Sequence, residues 1–162
     1  MSDRSYASIA IYAATPEEFG DLYSFLWNDG YLGPEWSPGT PLPNFPAVFD
    51  CEEEIVGEMS GMLVGYFDDH PDNGIVLEGN QASCDQFSGD IYVRSPLGDF
   101  RAETDTNGDV IVRPDFVLER IRASTDLADF RDWYEETCGA KHFAYLAQYR
   151  EGRPPLVIQE QP

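Results

Sequence analysis

The sequence predicts an α+β fold: a single domain with an antiparallel, β-rich middle and helices near both ends. A capped amphipathic helical pattern follows a first strand-like run, short alternating segments separated by turn residues fill the centre, and amphipathic patterns with clear stops close the chain. The 162 residues are 42% hydrophobic and 14% aromatic, enough to bury a core without disulfide or metal staples. That aromatic content separates the chain from acidic disordered sequences, which lack such residues. Residues 1–153 are expected to form one acidic domain and 154–162 a C-terminal tail.

Residues 6–13 (YASIAIYA) alternate and are rich in Ile and Tyr, as a first strand should be. Thr15, Pro16 and Glu18 then form a helix start, with Thr15 as cap, Pro16 in the first helical position and Glu18 placed to close a capping box. Phe19, Leu22, Tyr23 and Leu26 follow at helical spacing, and Asn28-Asp29-Gly30 supplies the stop. Five prolines between residues 31 and 46 predict a long irregular loop, either a functional or mobile one that presents Trp36 or an ordered cover with Trp36 and Phe45 as plugs over a hydrophobic edge. From residue 47, the spacing of Val48, Cys51, Ile55 and Met59 predicts a helix to about Ser60, and MLVGYF predicts a strand over 62–67. Residues 68–74 read as a turn, and 75–78 and 90–94 as strands. Asn107-Gly108 is the best hairpin signal, predicted to join strands over 100–106 and 109–113. Pro114 opens a helix, Ser124 or Thr125 restarts another that stops at Gly139, and 141–150 reads as a last short helix.

Charge is the dominant feature. From residue 5 to residue 93 there is no Lys or Arg, but there are sixteen carboxylates; nine of the ten basic residues are Arg. Bare DNA, RNA and anionic membranes would be repelled by such a surface, so none is expected as a direct partner. Its complement is a basic protein surface of the kind with which nucleases grip phosphates. Cys51, Cys84 and Cys138 are odd in number and lack metal-site spacing, and the N-terminus has no signal-peptide pattern; a cytoplasmic setting is expected.

No catalytic or cofactor motif stands out. Glu103, Asp105, Asn107 and Asp109 echo the start of a calcium loop, but the position requiring a bidentate glutamate is Pro114, and an Asn-Gly turn explains the same residues without an ion. His70 and His142, the only histidines, lie in no nucleophile or metal motif. No cofactor, metal or catalytic residue is therefore assigned.

Three acidic patches are candidates for partner binding: Glu52, Glu53, Glu54 and Glu58; Asp68, Asp69 and Asp72; and Asp126, Asp129, Asp132 and Glu136, with Trp36 as a candidate exposed anchor. The last four fall three or four apart, away from the predicted apolar face of Leu127, Phe130 and Tyr134. Carboxylates so spaced rise roughly 4.5–6 Å along a helix axis, a coarse match to phosphates on one nucleic-acid strand. The leading expectation is a small inhibitor or decoy that occupies the basic nucleic-acid-binding surface of a partner, as phage or mobile-element anti-restriction and anti-CRISPR proteins would. The alternatives are an immunity or antitoxin protein for a basic toxin, a small-ligand or metal-dependent enzyme, and a salt-adapted domain without a charge-specific partner.

Overall fold

Residues 5–51, 59–84 and 88–152 are described by the computed structural model. They form an α+β structure with five helices and one five-stranded antiparallel sheet. Two compact units share the chain, one within Met1–Ile111 and the other within Val112–Pro162.

The first unit contains β1 (Ala7–Ala13), α1 (Pro16–Asn28), β2 (Ala47–Cys51), α2 (Met59–Asp69), β3 (Val76–Gln81), β4 (Gly89–Ser95) and β5 (Gly98–Thr104). The sheet order is β2-β1-β3-β4-β5. In the register, Ile9 lies between Phe49 and Gly79, and Ile11 between Ala47 and Leu77, so these side chains share one face. Phe19, Leu22 and Leu26 of α1 and Met59, Leu63, Tyr66 and Phe67 of α2 join them in one hydrophobic cluster. Gly79 lets α2 approach β3: a Cβ there would collide with the Met59 sulfur.

Helix α1 starts as its sequence predicts. The Thr15 hydroxyl accepts the Glu18 amide (3.3 Å), and Glu18 Oε2 accepts the Thr15 amide (2.8 Å).

The segment from 47 onward departs from expectation. Residues 47–51 are a strand rather than a helix: Ala47, Phe49 and Cys51 are buried and Val48 and Asp50 exposed, a period of two. Residues 62–67 are helical rather than extended, because Met59, Leu63, Tyr66 and Phe67 bury one helical stripe against the sheet. The start of this helix is satisfied from a distance. Gln81 Oε1 accepts the Met59 amide (3.0 Å), and Asp90 Oδ2 accepts both the Ser60 amide (3.1 Å) and the Ser60 hydroxyl. These partners lie on β3 and β4, far from the helix in sequence, so the satisfaction of these amides cannot be read from the neighbouring residues.

Strand β5 pairs along its length with β4, from Ser95 and Gly98 onward, and only its end meets the segment after the Asn107-Gly108 turn. That turn does close a short hairpin as predicted: the Asp105 amide donates to the Asp109 carbonyl (2.9 Å), the Ile111 amide to the Glu103 carbonyl (2.9 Å), and Thr104 bridges Val110, but residues 109–113 do not extend into a strand. Leu32 makes a similar bridge to Asp50, and the proline-rich loop lays Trp36 edge-on against Phe19, with ring centroids 5.3 Å apart.

The second unit contains α3 (Pro114–Ala123), α4 (Leu127–Thr137) and α5 (Ala140–Arg150). Asp126 caps α4 by accepting the Asp129 amide (2.9 Å), and Gly139 follows its end with φ +71°, a left-handed conformation suited to glycine. His142, Tyr145 and Leu146 of α5 are buried, whereas α3 and α4 carry no buried residue. Leu127 is 81% exposed, so the apolar face expected on α4 is not a buried one.

Candidate functional site

The negative charge is divided unequally between the units. Residues 1–111 hold 21 of the 30 acidic residues and three of the ten basic ones, a net −18, and residues 112–162 hold the remaining −2.

Ion pairing deepens that division. Both described cations of the first unit are engaged inside it. Arg94 pairs with Asp99 (3.0 Å), donates to the Asn73 carbonyl (3.0 Å) and lies over the Phe67 ring, while Arg101 approaches Asp90 at 3.8 Å. Glu17, Asp21, Asp29, Glu35, Asp50, Asp68, Asp69 and Asp72 are exposed, and none of these eight has an ion-pair partner among the described residues.

The expected patches fare differently. Glu52, Glu53, Glu54 and Glu58 lie outside the described residues. Asp68 and Asp69 close α2, and Asp72 sits in the turn after it, all three exposed. The α4 row is largely engaged within its own unit. Asp126 caps the helix, Asp129 pairs with Arg120 (2.6 Å), and Asp132 pairs with Arg131 (2.9 Å), which leaves Glu136 as an exposed acid of the row.

Trp36 is not an exposed anchor. It packs on the core beside Phe19 and Tyr23, because the proline loop folds back over α1. The exposed tryptophan is Trp27, stacked on Tyr23 near the end of α1.

Helices α1 and α2 bring together acids that lie far apart in sequence. Asp21 and Phe25 of α1 face Met62, Gly65, Tyr66 and Asp69 of α2 across a groove of about 600 Å³. The amide of Gly74 donates to Glu18 Oε1 (2.6 Å), fastening the turn after α2 to the start of α1. Partial burial pushes the Glu18 carboxyl up, but hydrogen bonds from the Thr15 and Gly74 amides and the Thr15 hydroxyl outweigh it and hold the pKa below the usual value.

Within the groove Tyr66 is only 5% exposed, and its hydroxyl has no hydrogen-bond partner among the described residues. Burial, reinforced by the charges of Asp21 and Glu18, pushes the phenol up to about 12. His70 stacks on the Tyr66 ring at 4.4 Å with Nδ1 2.7 Å from the Tyr66 carbonyl, a packing role at the helix end. Sequence reasoning passed over Asp21 and Tyr66. The spacing of Glu17 and Asp21 marks one acidic face of α1, but their meeting with α2 depends on the tertiary fold.

A second concavity of about 530 Å³ lies at one end of the sheet, lined by residues that include Tyr6, Asp50, Gln81, Thr104 and Asp105. Asp105 Oδ1 accepts the amides of Asn107 (2.8 Å) and Asp109 (3.0 Å), so the calcium-like run is an Asx turn. Among the described residues no group of three or more His, Cys, Asp or Glu is placed to hold a metal, and no helix is long and apolar enough to cross a membrane. No protein-family model, curated protein or solved structure matches this chain.

Proposed function

We propose that the protein is an acidic decoy that occupies the basic, nucleic-acid-binding surface of a partner enzyme. The observation that carries this reading is a set of ten exposed carboxylates, the eight named above with Glu103 and Asp109, that have no ion-pair partner among the described residues, on a unit whose described cations are both internally engaged. A surface tuned for stability would place Lys or Arg among such acids, since interspersed signs relieve repulsion. Left unpaired, the acids raise the rate of encounter with a basic surface and displace its counterions much as phosphates do. Restriction or CRISPR nucleases are the partner class with the matching groove.

Capture of partners on immobilised protein, with a salt gradient and competing DNA, tests the reading. A nucleic-acid-binding protein that salt elutes and DNA displaces is the expected result. Unchanged affinity after joint replacement of Glu17, Asp21, Asp68 and Asp69 by their amides overturns it. A captured basic toxin indifferent to DNA points instead to an immunity role.

One observation favours a second reading, salt adaptation. The unpaired acids occupy several elements, with Glu17 on α1, Glu35 in the proline loop, Asp50 on β2 and Asp69 on α2, rather than one row. A domain of that kind needs salt to fold and has no charge-specific partner.

A further inference from the structure

The groove between α1 and α2 has a composition that narrows what can enter it. One acid stands on each wall, Asp21 on α1 and Asp69 on α2. Between them the lining is mostly apolar or small, with Phe25, Met62 and Gly65, where an added Cβ would meet no atom within 4 Å, and its polar members are Ser24, Tyr66 and His70, the last stacked on the Tyr66 ring. The Phe25 and Tyr66 rings lie 4.8 Å apart, and the Tyr66 hydroxyl is a buried polar group lacking a partner. Leaving such a group unsatisfied is costly, so a ligand that satisfies it is favoured over one that does not.

The unpartnered hydroxyl alone would serve a donor or an acceptor. The carboxylates decide between them. Asp21, Asp69 and nearby Glu18 repel an anionic ligand and select one that brings hydrogen-bond donors and positive charge. The aromatic and thioether lining then favours a cation with flat, weakly hydrated faces over a compact ammonium. A guanidinium fits that description: it stacks on rings, spreads its donors in a plane, and is less strongly hydrated than lysine's head group.

We infer that this groove is a docking site for an arginine side chain of the basic partner, with Asp21 and Asp69 pairing with the guanidinium and the Tyr66 oxygen accepting one of its N–H groups. The inference rests on the decoy reading above and adds the contact that gives a diffuse charge attraction a fixed pose. Nucleic-acid-binding grooves present arginines for phosphate contact, so such a side chain is at hand on the surface proposed as the target.

The test uses the full chain and the blocked arginine Nα-acetyl-arginine methylamide, with binding followed through amide chemical shifts. Perturbations are expected to begin at residues 21–25 and 61–70, ahead of the region around Glu35 and Asp50. Tyr66→Phe, which keeps the ring packing, is expected to weaken binding about tenfold through loss of one hydrogen bond to a charged group. Gly65→Ala, which narrows the groove, should weaken it as well, and the blocked lysine analogue should bind less tightly than blocked arginine. Perturbations spread evenly over the acidic surface, or equal binding by Tyr66→Phe, overturn the inference. If the probe fails while salt-sensitive capture of a nucleic-acid-binding partner persists, the groove assignment falls and the decoy reading stands. If the probe binds as expected and no basic partner is captured, the decoy reading falls and the groove remains an arginine site.

Discussion

Glu18 holds two parts of the fold with one carboxylate. Oε2 closes the capping box on Thr15, and Oε1 accepts the Gly74 amide in the turn after α2. Thr15→Ala removes half of that arrangement and is expected to lower stability by about 1 kcal/mol in thermal or urea unfolding. Replacing Glu18 by Gln should also remove an acid limb of the stability curve. Its folded-state pKa lies below the ordinary 4.5, so its contribution is fully present above that value and is lost as pH falls through the lower folded one. An acid-unfolding curve of Glu18→Gln that overlays the parent's would show that the carboxylate's charge contributes nothing there. Tyr92 shows the same logic in a neutral group. Burial first, then its hydrogen bond to Asp99 (2.7 Å), raises its pKa, so the phenol stays protonated and can donate to that carboxylate.

At the scale of elements, α1 and α2 mark the limits of what the sequence makes legible. Helix α1 carries its start signal, its apolar stripe and its stop within its own residues, and it forms where that pattern predicts. Helix α2 has little local propensity among its described residues. Its first amides are satisfied by Gln81 and Asp90, residues more than twenty positions away, and Gly61 and Gly65 weaken it locally. Burial of Met59, Leu63, Tyr66 and Phe67 outweighs that weakness, and the pattern MLVGYF, apolar on nearly every residue, conceals which period applies. The candidate site divides in the same way. Exposed Asp68, Asp69 and Asp72 could be read from a turn-rich sequence, whereas the buried Tyr66 hydroxyl and its neighbour Asp21 meet only through packing.

Gly65 turns that weakness into a measurement. Alanine there should stabilise the helix by about 0.5–1 kcal/mol, since the new methyl meets no neighbour and the unfolded chain loses freedom. A rise of roughly 1–4 °C in Tm is expected for a chain of this size. The same methyl projects from a residue lining the groove, so arginine binding should weaken as stability rises. A glycine kept only for packing would show the reverse: a clash, lower stability and no separate effect on binding.

For the whole molecule, charge sets stability and partner affinity against each other. A net −20, of which −18 belongs to residues 1–111, opposes compactness by self-repulsion. Salt screens that repulsion, with a Debye length falling from about 30 Å at 0.01 M to about 3 Å at 1 M. Thermal melts at pH 7 should therefore show Tm rising with NaCl over that range, while affinity for a basic partner falls over the same range. Joint replacement of Glu17, Asp21, Asp68 and Asp69 by Gln and Asn should mimic salt in both respects, raising Tm at low ionic strength, flattening its salt dependence and weakening the partner. The combination separates the readings. A decoy trades stability for affinity, so the neutralised chain is the more stable and the poorer binder. In a salt-adapted domain the carboxylates serve the folded state at high salt, so the neutralised chain loses stability there and has no partner affinity to lose. The sign of the Tm change in molar NaCl, measured beside the partner's elution point, assigns the acidic surface to one role or the other.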